Sequence, residues 1–322
     1  MRRILLFCLT VWLGGVFSVL AGCITINLPP PPGPLEEEVL SGTASSKVLL
    51  VDVSGLISSK EVRGIYPQPG LVASVKEVLT VAAEDSDVKA LVVRVNSPGG
   101  TVTASDVLYH EIRAFKEKRK IPVVASIMGL GTSGGYYVAS AADKIVAHSS
   151  SVTGSIGVIM LTVDASGLLE KIGVEANTVA SGPKKGMGSP LRPMTSEERE
   201  VFQSVIDSFH DRFLDVVQQG RPQLSAKQIR TLADGRIYSG TQAKELGLVD
   251  DVGYLEDAIE LAKNAAGLEE AKVVTYHRPG EYRHNIYSSF LGAGTALAHL
   301  SNLDAMALLH SGTPQFMYLW MP

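Results

Sequence analysis

Apolar runs and amphipathic segments alternate along most of this chain. The runs are short and rich in β-branched residues, which is typical of buried strands, and the segments between them repeat apolar residues at helical spacing. Because strands that alternate with helices usually pair in parallel, the pattern predicts an α/β fold with crossover helices. The predicted strands are residues 47–53, 90–95, 122–127, 144–147 and 271–276, and the predicted helices are residues 71–84, 103–120, 195–219, 225–232, 239–247 and 254–266.

The pattern also bounds the folded part of the chain. Residues 47–276 form the predicted folded body, in which residues 175–179 are expected to be an exposed strand. Residues 277–322 form a C-terminal tail that is rich in apolar residues but too interrupted for a membrane-spanning helix. We expect this tail to dock on the body, to contact a partner such as another copy of the chain, or to touch a membrane.

A glycine-rich stretch, residues 129–135, joins the strand at 122–127 to a helical pattern, and Ser133 lies where that pattern begins. A serine there commonly caps the helix, but free N–H groups at a helix start also favour developing negative charge. A second glycine turn, at Asn96 to Gly100, follows another predicted strand. Because ligand sites of parallel sheets lie at the carboxyl ends of the strands, both turns are expected at one edge of the sheet.

The N-terminus has the features of an export signal. Met1-Arg2-Arg3 is positively charged, and an apolar run follows, so residues 1–22 predict a lipoprotein-type signal sequence or a membrane anchor. Leu20-Ala-Gly-Cys23 resembles the bacterial lipobox, which implies lipidation of Cys23; an uncleaved transmembrane helix is the alternative. Residues 23–46 predict a Pro/Ser-rich linker. Either anchor tethers the body to the extracytoplasmic side of a membrane.

Composition narrows the function classes. The chain has 322 residues, 19% of them charged, and a net charge of −4, and it shows no basic stripe, so nucleic-acid binding is not expected. Its two cysteines, Cys8 and Cys23, both lie in the N-terminal segment and offer the body no disulfide framework. The seven histidines are scattered, and neither a His-Glu-x-x-His motif nor a phosphate-binding loop is present. We therefore expect no metal and no cofactor.

Four separated motifs together resemble the signal peptide peptidase A family of serine proteases, which shares a fold with the Clp protease subunit and the crotonases. Their order and spacing agree with the short, single-copy members, and the match spans roughly residues 47 to 275. The resemblance implies a Clp protease/crotonase-like core and a peptidase catalytic domain at residues 47–276. The motifs are Asn96-Ser-Pro-Gly-Gly100, Thr132-Ser133-Gly-Gly-Tyr-Tyr137, Thr153-Gly-Ser155-Ile-Gly-Val158 and Ser181-Gly-x-x-Lys185 with Gly188-Ser-Pro190.

The resemblance assigns a role to each motif. It implies that Ser133 is the nucleophile, that Lys185 is the general base, and that Ser155 hydrogen-bonds the lysine amine. Gly100 and Gly134 match the oxyanion hole. A serine hydroxyl needs a base within hydrogen-bond reach, and a lysine serves only when it is neutral, a form that burial favours.

Alternatives to this base remain. Lys184 is a neighbouring candidate, although the Ser-Gly-x-x-Lys spacing selects Lys185. The family commonly has an acidic residue after the lysine, whereas Gly186 follows it here. A histidine base is the main chemical competitor, and His148 is the one histidine shortly after the serine helix. The family often pairs serine and lysine across subunits, so the sequence leaves open whether the dyad forms within one chain.

The resemblance implies a membrane-tethered serine endopeptidase in the bacterial cell envelope. Its substrates would be peptides such as cleaved signal peptide remnants, and its relatives form dome-like rings, so we expect a ring-like homo-oligomer. Two alternatives are a non-catalytic peptide-binding lipoprotein of the same fold and a crotonase-like acyl-thioester enzyme. Export counts against the second, because coenzyme A is scarce outside the cytoplasm.

Overall fold

The computed structural model describes residues 33–61, 69–279, 284–288 and 315–322. Its strands form a large, mostly parallel sheet and a small antiparallel one. The strands are β1 (Glu36–Ser41), β2 (Lys47–Ser54), β3 (Val88–Ser97), β4 (Gly99–Thr101), β5 (Val123–Thr132), β6 (Lys144–Ala147), β7 (Val152–Gly154), β8 (Ile159–Leu161), β9 (Ile237–Ser239), β10 (Asp251–Val252), β11 (Lys272–His277) and β12 (Gln315–Leu319). The large sheet has the order β1-β11-β2-β3-β5-β6-β10, with β7 paired to the end of β5 and β9 paired to β7.

The predicted helices are confirmed, with their ends shifted by a few residues. The long helix after Thr195 begins with a capping box, in which Thr195 and Glu198 bond each other's backbone N–H groups. The expected exposed strand at residues 175–179 is absent, since that segment has no regular structure. The helices are α1 (Leu71–Glu84), α2 (Val102–Arg119), α3 (Gly134–Ala139), α4 (Ser166–Lys171), α5 (Ser196–Gly220), α6 (Ala226–Leu232), α7 (Gly240–Glu245) and α8 (Leu255–Ala265).

The central strands are covered on both faces, which explains why they are apolar without alternation. In β2, Leu49 and Val51 join the core that packs against α1, α2 and α3. The intervening residues Val48 and Leu50 point the other way and pack against α8. This alternation is the two-residue period of a strand, with helices on both sides of the sheet. The expected α/β fold with a parallel core is thus confirmed.

The predicted linker at residues 23–46 is shorter than expected. Residues 36–41 form β1, which pairs antiparallel with β11 and places Glu37 opposite Tyr276. The ammonium of Lys47 holds this edge by pairing with the carboxylates of Glu37 and Asp85, each at 2.7 Å. The three glutamates at residues 36–38 are therefore part of an edge strand, where charged side chains also prevent further strand pairing. Residues 23–32 lie outside the described part.

The small sheet pairs the C-terminal strand with two strands of the folded body. Its order is β4-β12-β8, and β12 runs antiparallel to both neighbours. β12 belongs to the C-terminal tail, of which the structure describes residues 277–279, 284–288 and 315–322. In this structure the end of the tail therefore lies on the body of its own chain.

The signal-like segment at residues 1–22 and Cys23 lie outside the described residues. No helix in the described part of the chain combines the length and the apolar character needed to cross a bilayer. Lipidation of Cys23 and the membrane tether therefore stay predictions.

Candidate active site

Ser133 directly follows β5 and precedes the short helix α3. Its backbone has φ 54° and ψ −117°, a combination that L-residues adopt only when the surrounding structure holds them there. Its side chain makes no capping hydrogen bond, and the residue is 1% exposed. The simple capping role is therefore not supported, and the strained conformation is one that occurs often at active sites.

Two backbone hydrogen bonds hold Ser133 in this conformation. Its N–H donates to the carbonyl oxygen of Gly154 at 2.7 Å, and its own carbonyl accepts from the N–H of Tyr137 at 2.9 Å. The first bond continues the parallel register of β5 and β7, in which Thr132 lies opposite Gly154. The strand ends thus bring the third motif of the sequence directly beside the serine.

The turn at Gly99 and Gly100 lies against the same serine segment. The Ser97 hydroxyl donates to the carbonyl of Gly55 at 2.6 Å and accepts from the N–H of Gly99 at 3.0 Å. Gly99 has φ 103°, and a Cβ there would lie 2.7 Å from the nitrogen of Gly134. Only a glycine permits this approach, so the predicted meeting of both glycine turns at one sheet edge is confirmed.

The direction of the Gly100 N–H follows from its neighbours. The carbonyl of Gly99 accepts from the N–H of Ile57 at 2.8 Å, and the N–H of Thr101 donates to the carbonyl of Ile57 at 3.0 Å. Because backbone groups alternate sides along a strand, the Gly100 N–H points away from Ile57. It faces β12, where Tyr318 lies opposite Gly100.

Ser155 begins the loop that follows β7. Its φ is 50°, its N–H donates to the carbonyl of Arg236 at 2.7 Å, and the residue is 8% exposed. It directly follows Gly154, the acceptor for the Ser133 N–H. The structure therefore brings Ser155 together with Ser133, Gly134 and Gly100.

Lys185 does not join this group within one chain. It is exposed, and among the described residues its ammonium has no hydrogen-bond or ion-pair partner. The neighbouring Lys184 lies 4.0 Å from the carboxylate of Glu197. The loop itself is anchored, because the guanidinium of Arg192 donates to the carbonyl of Gly186 at 3.0 Å and pairs with the buried carboxylate of Glu198.

His148, the histidine competitor, has other contacts. Its Nδ1 lies 2.8 Å from the hydroxyl of Ser150, and its ring meets that of Tyr254 edge-on at 4.9 Å. Its backbone N–H donates to the carbonyl of Ile127, six residues before Ser133. None of these contacts involves Ser133, so the geometry gives no support to a histidine base.

Sequence reasoning missed the part that β12 has in this site. A Cβ on Gly99 would overlap the carbonyl oxygen of Tyr318, and that oxygen lies 3.1 Å from where a Cβ on Gly134 would be. The pairing of β12 with β4 continues two residues further along the chain, where the N–H of Trp320 donates to the carbonyl of Pro98 at 3.0 Å. The Tyr318 carbonyl therefore lies among Gly99, Gly100 and Gly134, facing the Gly100 N–H.

Comparison with known proteins agrees with this arrangement. The chain matches the model of Peptidase family S49 over residues 115–269 and that of Clp protease over residues 69–154. It is 39% identical over 246 residues to "Putative signal peptide peptidase SppA" of Enterococcus faecium, which covers 75% of this chain and 70% of the relative. It is 34% identical over 233 residues to "Serine protease SPPA, chloroplastic" of Arabidopsis thaliana, covering 71% of this chain and 34% of that protein.

Further similarity comes from a protein of another bacterium. "Protease 4" of Haemophilus influenzae is 34% identical over 218 residues, which is 68% of this chain and 34% of the relative. The strand order, the strained serine between glycines and these matches point to the same peptidase fold. The chain therefore belongs to peptidase family S49 and is a serine peptidase.

Proposed function

We propose that this chain is a membrane-tethered endopeptidase in which Ser133 attacks the peptide bond and Lys185 accepts its proton. The observation that supports the proposal is the position of the Tyr318 carbonyl among Gly99, Gly100 and Gly134, since a substrate carbonyl held in the same place would face the Gly100 N–H beside the Ser133 segment. The family assignment favours this function over a peptide-binding lipoprotein and over a crotonase-like thioester enzyme. Substrates are peptides, such as the remnants of cleaved signal peptides.

The chemistry begins when the Ser133 hydroxyl adds to the carbonyl carbon and its proton passes to the base. Negative charge develops on the substrate oxygen, and the N–H groups of Gly100 and Gly134 stabilise it. The C–N bond then breaks as the protonated base gives its proton to the leaving amine, and water hydrolyses the resulting acyl-serine ester. The Gly100 donor lies in β4, which is held by the backbone of Ile57, and the Gly134 donor is the first residue of α3, directly after Ser133. One such donor typically contributes about 10²–10³ in rate.

The proposed base has to be desolvated, and one chain alone leaves Lys185 exposed. A neutral lysine is favoured only where water is excluded. The segment around Lys185 also carries unusually many exposed apolar side chains, and its helix α4 has no buried residue. We infer that another copy covers this segment in a ring-like homo-oligomer, which buries Lys185 near a Ser133 and beside Ser155. The exposed apolar residues are Val163, Leu168, Ile172, Val174, Val179 and Leu191.

The test is hydrolysis of a fluorogenic hydrophobic peptide by wild type and by Ser133→Ala, Lys185→Ala and Lys184→Ala variants. The first two are expected to be inactive and the third active. Full activity of Lys185→Ala would exclude the proposed base. An inactive wild type that is properly assembled would overturn the peptidase mechanism as proposed.

Complementation tests where the dyad forms. Ser133→Ala and Lys185→Ala chains are produced together with different affinity tags, and mixed oligomers are isolated through both tags. If serine and lysine come from different copies, the mixed oligomers recover part of the wild-type activity. If both come from one chain, every site lacks one group and the mixture stays inactive.

The tether is tested by fractionation of cells that make wild type or Cys23→Ser. A lipoprotein anchor predicts that wild type is found with the membranes and that the variant has lost its lipid and retains its signal sequence. An uncleaved transmembrane helix predicts the same size and the same membrane fraction for both. Protease accessibility in intact spheroplasts then tests whether the body lies outside the cytoplasm.

A further inference from the structure

Ser97 is the last residue of β3, and its hydroxyl joins two segments that are far apart in sequence. The residue is fully buried. Its hydroxyl accepts from the N–H of Gly99 at 3.0 Å, which is the ordinary contact of a serine at the start of a turn. The same hydroxyl donates at 2.6 Å to the carbonyl of Gly55, which is 42 residues earlier and directly follows β2. Ser97 therefore does more than close its own turn.

The two segments that Ser97 joins also hold β4. The N–H of Gly55 donates to the carbonyl of Asn96 at 3.0 Å. Two residues further on, the N–H of Ile57 donates to the carbonyl of Gly99, and the carbonyl of Ile57 accepts from the N–H of Thr101. These bonds form a short ladder, and the Ser97 hydroxyl lies in the middle of it. Because Gly99 and Thr101 are both fixed, the direction of the Gly100 N–H is fixed as well.

The backbone of Ser97 contacts the segment that carries the nucleophile. Ser97 lies opposite Gly131 in the parallel pairing of β3 and β5. A Cβ on Gly135 would lie 2.8 Å from the carbonyl oxygen of Ser97. Ser133 is two residues from each of these glycines. One residue thus contacts the backbone on both sides of the proposed nucleophile and, through its hydroxyl, holds the turn that precedes Gly100.

We propose that Ser97 is a positioning residue whose hydroxyl sets the place of the Gly100 N–H relative to Ser133. The inference rests on the proposed function, because it assigns Ser97 an effect on the oxyanion that Ser133 generates. Without the hydroxyl, the buried N–H of Gly99 loses its acceptor, and a buried donor without a partner favours movement of the turn. The oxyanion develops only in the transition state, so the displaced donor lowers kcat and leaves substrate binding nearly unchanged.

The first experiment compares kcat and KM of the full chain on a fluorogenic hydrophobic peptide for wild type, Ser97→Ala and Ser126→Ala. Ser97→Ala is expected to lower kcat by about 10-fold to 10²-fold, less than or equal to the loss of a whole donor, with KM within about twofold of wild type. Ser126→Ala is the matched control, since Ser126 is also a buried strand serine, but its hydroxyl bonds the sulfur of Met128 at 3.8 Å. A wild-type kcat for Ser97→Ala would overturn the proposal.

A pair of ligands separates positioning from a general loss of structure. The peptide substrate is bound to Ser133→Ala enzyme with and without Ser97→Ala, and its Kd is expected to be the same. A peptide aldehyde is the transition-state probe, because the Ser133 oxygen adds to its carbonyl carbon, the hydroxyl proton passes to the base, and the resulting alkoxide needs the same donors as the oxyanion. Its affinity is expected to fall by the factor found for kcat. Equal losses for both ligands would overturn the proposal.

A double-mutant cycle with Gly100→Ala tests whether Ser97 acts through Gly100. Two changes that displace the same N–H are not additive, so the double variant is expected to have nearly the kcat of Gly100→Ala alone. If the two factors multiply instead, Ser97 affects the reaction by another route, and the proposal is wrong.

Ser97→Cys is a second variant that is independent of how well Ser97→Ala folds. A thiol is a weaker donor and acceptor than a hydroxyl, so kcat is expected to lie between those of wild type and Ser97→Ala. Circular dichroism and urea denaturation report whether each variant is folded. Loss of folding in both variants would assign Ser97 to the fold alone and overturn the proposal.

Failure of this inference is distinguishable from failure of the proposed function. An active wild type whose Ser97 variants keep the wild-type kcat overturns the positioning role and leaves the peptidase intact. An inactive wild type whose Ser133 is not labelled by a fluorophosphonate overturns the proposed function and, with it, the role of Ser97.

Discussion

The backbone N–H of Ser133 bonds the carbonyl oxygen of Gly154 at 2.7 Å, and this contact joins two motifs that are 21 residues apart in sequence. It places Ser155, the next residue, beside the proposed nucleophile. Both serines have positive φ, and each is fixed by a backbone N–H that donates to a neighbouring segment. The site is therefore positioned by the ends of β5 and β7, which are part of the rigid sheet.

The strained backbone of Ser133 predicts opposite effects of one substitution on stability and on activity. Glycine adopts φ 54° and ψ −117° at lower cost, so Ser133→Gly is expected to raise the free energy of unfolding by about 1 kcal/mol while it abolishes peptide hydrolysis. Urea denaturation of both proteins measures the first effect. Ser133→Ala is the control, which is expected to lose activity without the gain; equal stability of all three would show that the conformation is not strained.

Gly100 is expected to tolerate no side chain. A Cβ there would overlap the carbonyl of Ile57, which bonds the N–H of Thr101. Gly100→Ala should shift β4 and its N–H away from the substrate oxygen and reduce kcat by about 10²-fold or more, the usual effect of removing one such donor. Gly129→Ala is the control, since a Cβ there approaches only the Asn96 side chain, at 3.2 Å. Full activity of the Gly100→Ala enzyme would show that the Gly100 N–H is not a donor of the oxyanion hole.

β12 occupies the groove in which we place the substrate, so weakening it should open the groove. Met317 lies opposite Ile159 of β8, and a proline there cannot donate to that strand. Met317→Pro is expected to weaken the pairing of β12 with β8. Added peptides then compete more easily with β12 for the groove, and their KM is expected to fall several-fold. Met317→Leu, which keeps the N–H, is expected to behave as wild type. Unchanged KM in both would show that β12 does not compete with substrate.

The ion pair of Arg221 and Asp250 predicts an acid limit of stability. Burial opposes ionisation of Asp250, but the guanidinium of Arg221, the N–H of Ile145 and the ammonium of Lys144 outweigh it and hold the pKa of this carboxyl below its usual range. Because the pKa of Asp250 is lower in the folded protein than in the unfolded chain, where it is about 4, ionisation of this carboxyl stabilises the fold at pH values above about 4. This contribution is lost as the pH falls through the pKa of the folded protein.

Arg221→Met tests this dependence. The variant is expected to unfold at a higher pH than wild type in an acid titration followed by circular dichroism, because Asp250 then loses its buried partner. Lys144→Met is the control, and its effect should be smaller because this lysine is largely exposed. Identical midpoints for wild type and Arg221→Met would contradict the proposed linkage.

Much of the fold followed from local pattern alone. Apolar runs such as residues 90–95 have too few polar positions for a one-sided sheet, and this favours strands covered on both faces, as β3 is. Glycines at 99, 100 and 134 mark places where backbones approach, and they lie together at one sheet edge. Residues 36–41 form a strand that local pattern does not reveal, because three glutamates suit a solvated linker and an edge strand equally well.

The alternation of strands and helices and the motifs at the ends of the strands follow from the amino-acid order alone, because both depend on short-range spacing. The pairing of Tyr318 with Gly100 and the exposure of Lys185 follow only from the folded chain. The first contact joins residues 218 positions apart through backbone hydrogen bonds, which leave no pattern of side chains to detect. The exposure of Lys185 depends on which surfaces pack against its loop, and packing is a property of the whole chain.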